Sequence, residues 1–82
     1  MSKIKIYTFD WCPDCRASKR FLENRGIEYE EIDLDKHPES VETVIAARGK
    51  RVVPTLELDG RFMDGNHFDV EKFEKDLNEL LG

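Results

Sequence analysis

The sequence predicts a small α/β fold in which a four-stranded mixed sheet is sandwiched between helices. Three observations predict it. The chain has 82 residues, enough for one modest core and a single domain spanning 1–82. Its hydrophobic pattern switches between the strand and helix periods in the order β-α-β-α-β-β-α. Glycine and proline fall where the period changes.

The elements follow in chain order. Residues 3–9, "KIKIYTF", alternate and are rich in β-branched and aromatic side chains, so they read as a strand. Ile4 and Ile6 share one face and Tyr7 and Phe9 the other, the pattern of a central strand covered on both sides. A helix follows from Pro13, with Ala17, Phe21 and Leu22 at helical spacing. Pro13 suits the first turn, where a missing N–H costs nothing, and Gly26 suits the C-terminal cap. Residues 27–34, "IEYEEIDL", form a strand with glutamates on both faces, as fits a charged edge. Residues 37–49 form a second helix with Val41, Val44 and Ile45 as its apolar stripe and Gly49 as its end. Residues 51–65 read as a hairpin turning at Asp59-Gly60. Residues 69–82 form the last helix, with Asp69 as N-cap and Val70, Phe73, Leu77 and Leu80 on its buried face. The strand–helix–strand opening implies parallel pairing through a right-handed crossover.

Composition excludes several classes of function. Eighteen acidic residues against 13 basic give a net charge of −5, which argues against general nucleic-acid binding. No apolar run approaches the roughly 20 residues that span a bilayer. The N-terminus "MSKIKIYTF" lacks an apolar signal core and a small-residue cleavage site. The expected setting is cytoplasmic, and there paired cysteines serve catalysis or metal binding more often than structure.

The chemistry is concentrated in "DWCPDCRASKR", which contains both cysteines of the chain, Cys12 and Cys15. The pair straddles a strand-to-helix turn. Cys12 lies at the helix N-terminus, whose free N–H groups favour the thiolate. Arg16, Lys19 and Arg20 add positive charge nearby, while Asp14, between the cysteines, opposes it. In the expected geometry Cys12 is at the exposed end and attacks a substrate disulfide. Cys15, one turn further in, attacks Cys12 and releases the product. Pro13 restricts the loop between them, and Trp11 shields the site or packs against an incoming substrate. As a metal half-site the pair would need two more ligands, and only His37 and His67 could join. Each histidine otherwise reads as a solvated loop residue. At Val53-Pro54-Thr55 a proline opens a strand. A cis bond there would leave the Val53 backbone free to pair with a substrate peptide. Arg51 reads either as a surface charge or as a contact to a substrate carboxylate.

Across essentially its whole length the chain resembles a glutaredoxin-like member of the thioredoxin superfamily. The resemblance rests on Trp11-Cys12-Pro13-Asp14-Cys15 after the first strand, on Gly49-Lys50-Arg51-Val52-Val53-Pro54, and on the element order. It implies a thioredoxin-like, glutaredoxin-type βαβαββα three-layer sandwich and a thiol–disulfide oxidoreductase. Carried over, Cys12 is the nucleophile, Cys15 the resolving thiol and Pro54 the cis-proline. Val53 matches a glutathione-binding backbone position, and Arg51 a residue beside that groove. The sequence departs from glutathione-binding members at Phe9, where they have lysine, and at Asp14, where they have tyrosine. Asp64-Gly65-Asn66 with Asp69 only partly matches their Gly-Gly-Asp. These departures should weaken binding of an anionic tripeptide. The resemblance implies a monomer with no tightly bound cofactor, with glutathione or another low-molecular-weight thiol as co-substrate. Its partners would be disulfide-containing proteins or thiol conjugates and a reductase, with no nucleic acid or membrane. Two other readings remain: an electron donor recycled by thioredoxin reductase, and an iron–sulfur carrier bridging two chains through Cys12 and a thiol cofactor. Mycoredoxin-type proteins, which serve a different small thiol, share Trp11 and the style of the second strand.

Overall fold

In the computed structural model, which describes residues 3–82, the alternating segment forms β1 (Ile4–Thr8) in the interior of a four-stranded sheet ordered β2-β1-β3-β4. The remaining elements are α1 (Pro13–Asn24), β2 (Tyr29–Asp33), α2 (Val41–Arg48), β3 (Thr55–Leu58), β4 (Arg61–Asp64) and α3 (Val70–Leu81). A single 3₁₀ turn, Pro38–Ser40, leads into α2. β1 pairs parallel with β2, from Ile4 opposite Tyr29 to Thr8 opposite Asp33. It pairs antiparallel with β3, Lys5 opposite Glu57 and Tyr7 opposite Thr55. β3 and β4 form the expected hairpin. Its turn residues Asp59 and Gly60 have φ of 52° and 84°, both left-handed, as a two-residue type I′ turn requires. The element order and topology are those of the thioredoxin-like, glutaredoxin-type fold.

Period two on β1 sends Ile4, Ile6 and Thr8 to one face, and all three are buried. There the two isoleucines meet Leu22 of α1, Leu56, Leu58 and Met63 of the hairpin, and Phe73, Leu77 and Leu80 of α3. Phe21, half-buried, fills the seam between the helices, edge-on to Phe73 at 5.0 Å and to Phe68 at 6.2 Å. The inner face of α1 is therefore Cys15, Ser18 and Leu22 rather than Ala17, Phe21 and Leu22. The fully buried row is turned by about one position from the sequence pattern, because two aromatic side chains of the α3 region occupy the adjoining space.

The opposite face is covered less completely than the sequence implies. Tyr7, Leu34, Val44 and Phe9 pack there with the two cysteines. At eight residues, α2 is about 12 Å long and roofs only the half of the sheet nearest the dithiol. Beyond it Lys5 is exposed, flanked by Glu30 on β2 and Glu57 on β3. Burial raises the pKa of Tyr7, and the charges of Glu57 and Glu30 raise it further. Two predicted core residues fall outside the core. Ile45 is 43% exposed, since Val44 alone on α2 is fully buried. Val70 is 55% exposed, because as the first residue of α3 it precedes the turn that packs on the sheet. Asp69 caps α3 as expected, its carboxylate accepting from the Lys72 N–H at 3.0 Å.

Candidate active site at the start of α1

β1 delivers the chain to the C-terminal end of an interior strand, and residues 9–12 turn into α1. Cys12 is the N-cap, with extended backbone (φ −87°, ψ 110°), and Pro13 takes the first helical position. The Cys12 Sγ accepts a hydrogen bond from the Cys15 N–H at 3.1 Å. Sulfur thus does here what a serine or aspartate oxygen does at other N-caps. Both thiols are free. The expected exposed end of the pair is absent: Cys12 is 5% and Cys15 1% exposed. Cys12 packs in the apolar cluster that includes Phe9 and the half-buried Val53. Burial pushes the Cys15 thiol well above its ordinary pKa, and its hydrogen bond with Cys12 adds to the effect. Cys15 is therefore a proton-holding thiol at neutral pH.

Two walls flank the pair. The first is residues 51–54 with Phe9 and Trp11. The Val53–Pro54 bond is cis. β3 begins only at Thr55, so Val53 has no backbone hydrogen bond to another described residue, although its neighbours do. Thr55 Oγ1 donates to the Val52 carbonyl at 2.8 Å, and the Gly65 N–H donates to the Pro54 carbonyl at 3.0 Å. Phe9 is a platform. Trp11 stacks on it at 5.4 Å, inclined by 9°, and is itself 67% exposed. The Arg51 guanidinium lies 5.1 Å from the same ring, a cation–π contact.

The second wall is residues 64–69. Asp64 is engaged internally: it accepts from the Asn66 N–H at 2.8 Å and pairs with Arg48 at 3.2 Å. Asn66 Oδ1 in turn accepts from the His67 N–H at 3.0 Å. At Gly65 there is no room for a side chain, since a Cβ would lie 2.8 Å from the Pro54 ring and 3.1 Å from Ser18 Oγ. Asp14 closes this wall onto the dithiol turn. Its Oδ2 accepts from the His67 N–H at 2.9 Å and its Oδ1 from the Phe68 N–H at 3.1 Å.

Of the predicted site residues, Trp11, Pro13 and Asp14 adjoin the cysteines in the chain, Val53 packs with them, Pro54 follows it, Gly65 abuts the Pro54 ring, and Asn66 lies in the second wall. Arg51 is turned onto Phe9, and Asp64 toward Arg48. Sequence reasoning missed the Phe9 platform and the Asp14 clasp. It also missed a polar chain one turn along α1: Lys19 Nζ is 2.8 Å from Glu31, which also accepts from the Thr8 hydroxyl at 2.9 Å. Lys19 first, and Thr8 after it, hold the Glu31 carboxyl below its usual range. No spacing in the chain signals contacts between residues so far apart. His37 pairs with Glu39 at 3.3 Å. Among the described residues no three His, Cys, Asp or Glu side chains gather as a metal ion would need, and no helix is long and apolar enough to cross a membrane.

Comparison with known proteins gives the family and the fold. The glutaredoxin family model matches residues 4–63. Mycoredoxin 1 of Corynebacterium glutamicum is 43% identical over 68 residues, covering 82% of this chain and 78% of that protein. The glutaredoxin-like protein NrdH of Escherichia coli is 43% identical over 54 residues, 66% of this chain and 65% of that one. The solved structure of that NrdH-redoxin superposes with a TM-score of 0.73 at 34% identity, over 90% of this chain and 93% of that one. A glutaredoxin from Archaeoglobus fulgidus gives a TM-score of 0.78 at 26% identity, over 99% and 87%.

Proposed function

The chain belongs to the glutaredoxin family of thiol–disulfide oxidoreductases, and from that premise we propose that it reduces protein or small-molecule mixed disulfides through a dithiol cycle of Cys12 and Cys15. The observation that carries the reading is the N-cap placement of Cys12, with its sulfur already accepting the Cys15 N–H and a protonated Cys15 behind it.

The Cys12 thiolate attacks one sulfur of the substrate disulfide. The substrate S–S bond breaks, the leaving thiolate takes up a proton, and a Cys12 mixed disulfide forms. Cys15 then loses its proton, and its thiolate attacks the Cys12 sulfur. That bond breaks, the second substrate thiolate leaves and is protonated, and the Cys12–Cys15 disulfide remains. Two electrons pass from the protein to the substrate. Two equivalents of a low-molecular-weight thiol, glutathione or another, return them. The unpaired Val53 backbone would hold an extended substrate segment as an added strand. The exposed Trp11 would supply apolar contact beside it, and Pro13 would keep the two sulfurs in reach.

A second source of electrons has specific support. Phe9 and Asp14 give the site a ring and a carboxylate where a cation would welcome an anionic tripeptide. The related NrdH-redoxin is described as having a thioredoxin-like activity profile. Recycling by thioredoxin reductase is therefore the alternative. The deciding experiment supplies NADPH with either glutathione plus its reductase or thioredoxin reductase, and reads which couple sustains disulfide reduction. Cys15→Ser should trap mixed disulfides on Cys12. Full turnover by Cys12→Ser would overturn the assignment.

A further inference from the structure

The second wall presents backbone donors to the dithiol turn. Two successive backbone N–H groups, of His67 and Phe68, converge on one carboxylate, that of Asp14, at 2.9 and 3.1 Å. His67 has a φ of 57°. A left-handed residue between neighbours of other conformation directs consecutive N–H groups to one side, the geometry of an anion-binding concavity. The concavity lies against the dithiol turn, for its occupant stands between Cys12 and Cys15 in the chain. A substrate carboxylate reaching this wall would need the same two donors.

Three described cations, on α2, α3 and the first wall, are already engaged with other groups. Arg48 is committed to Asp64, Lys72 to Asp76 at 2.8 Å, and Arg51 to the face of Phe9 on the opposite wall. The carboxylates of Asp64 and Asp69 stand on either side of the loop. An entering carboxylate would have to expel Asp14, and the expelled group, tethered beside it, would then repel it.

We propose that Asp14 is a specificity-determining residue, filling from within the carboxylate seat made by the His67 and Phe68 N–H groups, so that the thiols this chain handles best carry no free carboxylate at that end. This rests on the dithiol reading above, and it narrows the co-substrate to thiols without a carboxylate at the end that meets this wall.

The test compares two mixed disulfides of one cysteine peptide, formed with glutathione and with glutathione dimethyl ester. The ratio of their kcat/KM values cancels any effect of Asp14 on the reactivity of Cys12. The wild-type protein should favour the ester. Asp14→Ala should shift the ratio toward glutathione by about tenfold, the scale of one hydrogen bond to a charged group, and the shift should shrink as salt is added. Asp14→Asn retains the size of the side chain and should shift the ratio in the same direction by less. S-methylglutathione, which cannot react, gives a reading independent of turnover: it should move the His67 and Phe68 amide resonances saturably in Asp14→Ala and leave them in place in the wild type. The remaining spectrum reports whether the variant is folded. A wild-type preference for glutathione, an unchanged ratio in both variants, or equal amide shifts in wild type and variant would each overturn the proposal. If the wild type turns over neither substrate but is sustained by thioredoxin reductase on protein disulfides, the small-thiol reading fails, and this proposal with it.

Discussion

The two faces of the sheet divide the work of the molecule. On one, nine buried apolar residues from β1, the hairpin, α1 and α3 make a continuous hydrocarbon core. On the other, α2 roofs only half the sheet, and the smaller cluster beneath it includes the two reactive sulfurs. Burying a large aliphatic side chain contributes roughly 1.5–3 kcal/mol, so most of the stability resides on the α1/α3 face. The α2 face is thin, yet it encloses both Cys12 and Cys15. The reactive end is thus held by hydrogen bonds and loop closure as well as by its smaller cluster, whereas the far face is held by packing.

Substitutions can separate these roles. The largest expected effect is Cys12→Ser, which should reduce disulfide turnover to background, because a hydroxyl cannot replace a thiolate nucleophile. Chemical denaturation should move by no more than about 1 kcal/mol. A large loss of stability there would mean that the thin face also carries the fold. Leu77→Ala on the other face should cost about 2–5 kcal/mol. Turnover measured where the variant is still folded should stay within about threefold. Gly65→Ala tests the junction between the walls. Its Cβ would press on the Pro54 ring, which has no flexible end to move aside, so about 1–3 kcal/mol of stability and part of the activity should be lost together.

The pH dependence of the second thiol exchange is a further test. Since the Cys15 pKa is raised, its thiolate fraction, and with it the resolution of the mixed disulfide, should rise about tenfold per pH unit, from neutrality to beyond pH 9. Rapid quenching of the mixed disulfide would follow it. Stability runs the opposite way. A folded thiol that holds its proton more tightly than the unfolded one contributes stability fully present below the ordinary thiol pKa of 9.0. That contribution is lost as pH rises above it toward the folded value. A flat resolution rate between pH 7 and 9 would mean that another group sets the step. The smallest effect belongs to Ile45→Thr at the exposed margin of α2, which should change stability by less than about 0.5 kcal/mol.

Much of this was legible in the residues. Pro13 after Cys12, Gly26 and Gly49 past their helices, Asp59-Gly60 between two short strands and Asp69 before an amphipathic run each act through their own backbone, so the element order and the place of the dithiol could be read locally. The buried side chains were harder. Ile45 and Val70 have the right spacing for a core, yet whether they are covered depends on the reach of the element opposite. Cys12 was expected to be open, and it is closed by Phe9, Val53 and neighbours contributed by three separate segments.

The βαβαββα order, the two sulfurs at a helix start and the strand faces are local, because periodicity, capping and turn chemistry are properties of a few consecutive residues. Which polar groups find partners is settled by the folded chain. Asp14 meets backbone groups 53 and 54 positions away, and Glu31 meets Lys19 and Thr8 across the α1 side of the sheet. Contacts of that range exist only once the chain has closed, and no local pattern encodes where the closure brings a carboxylate to rest.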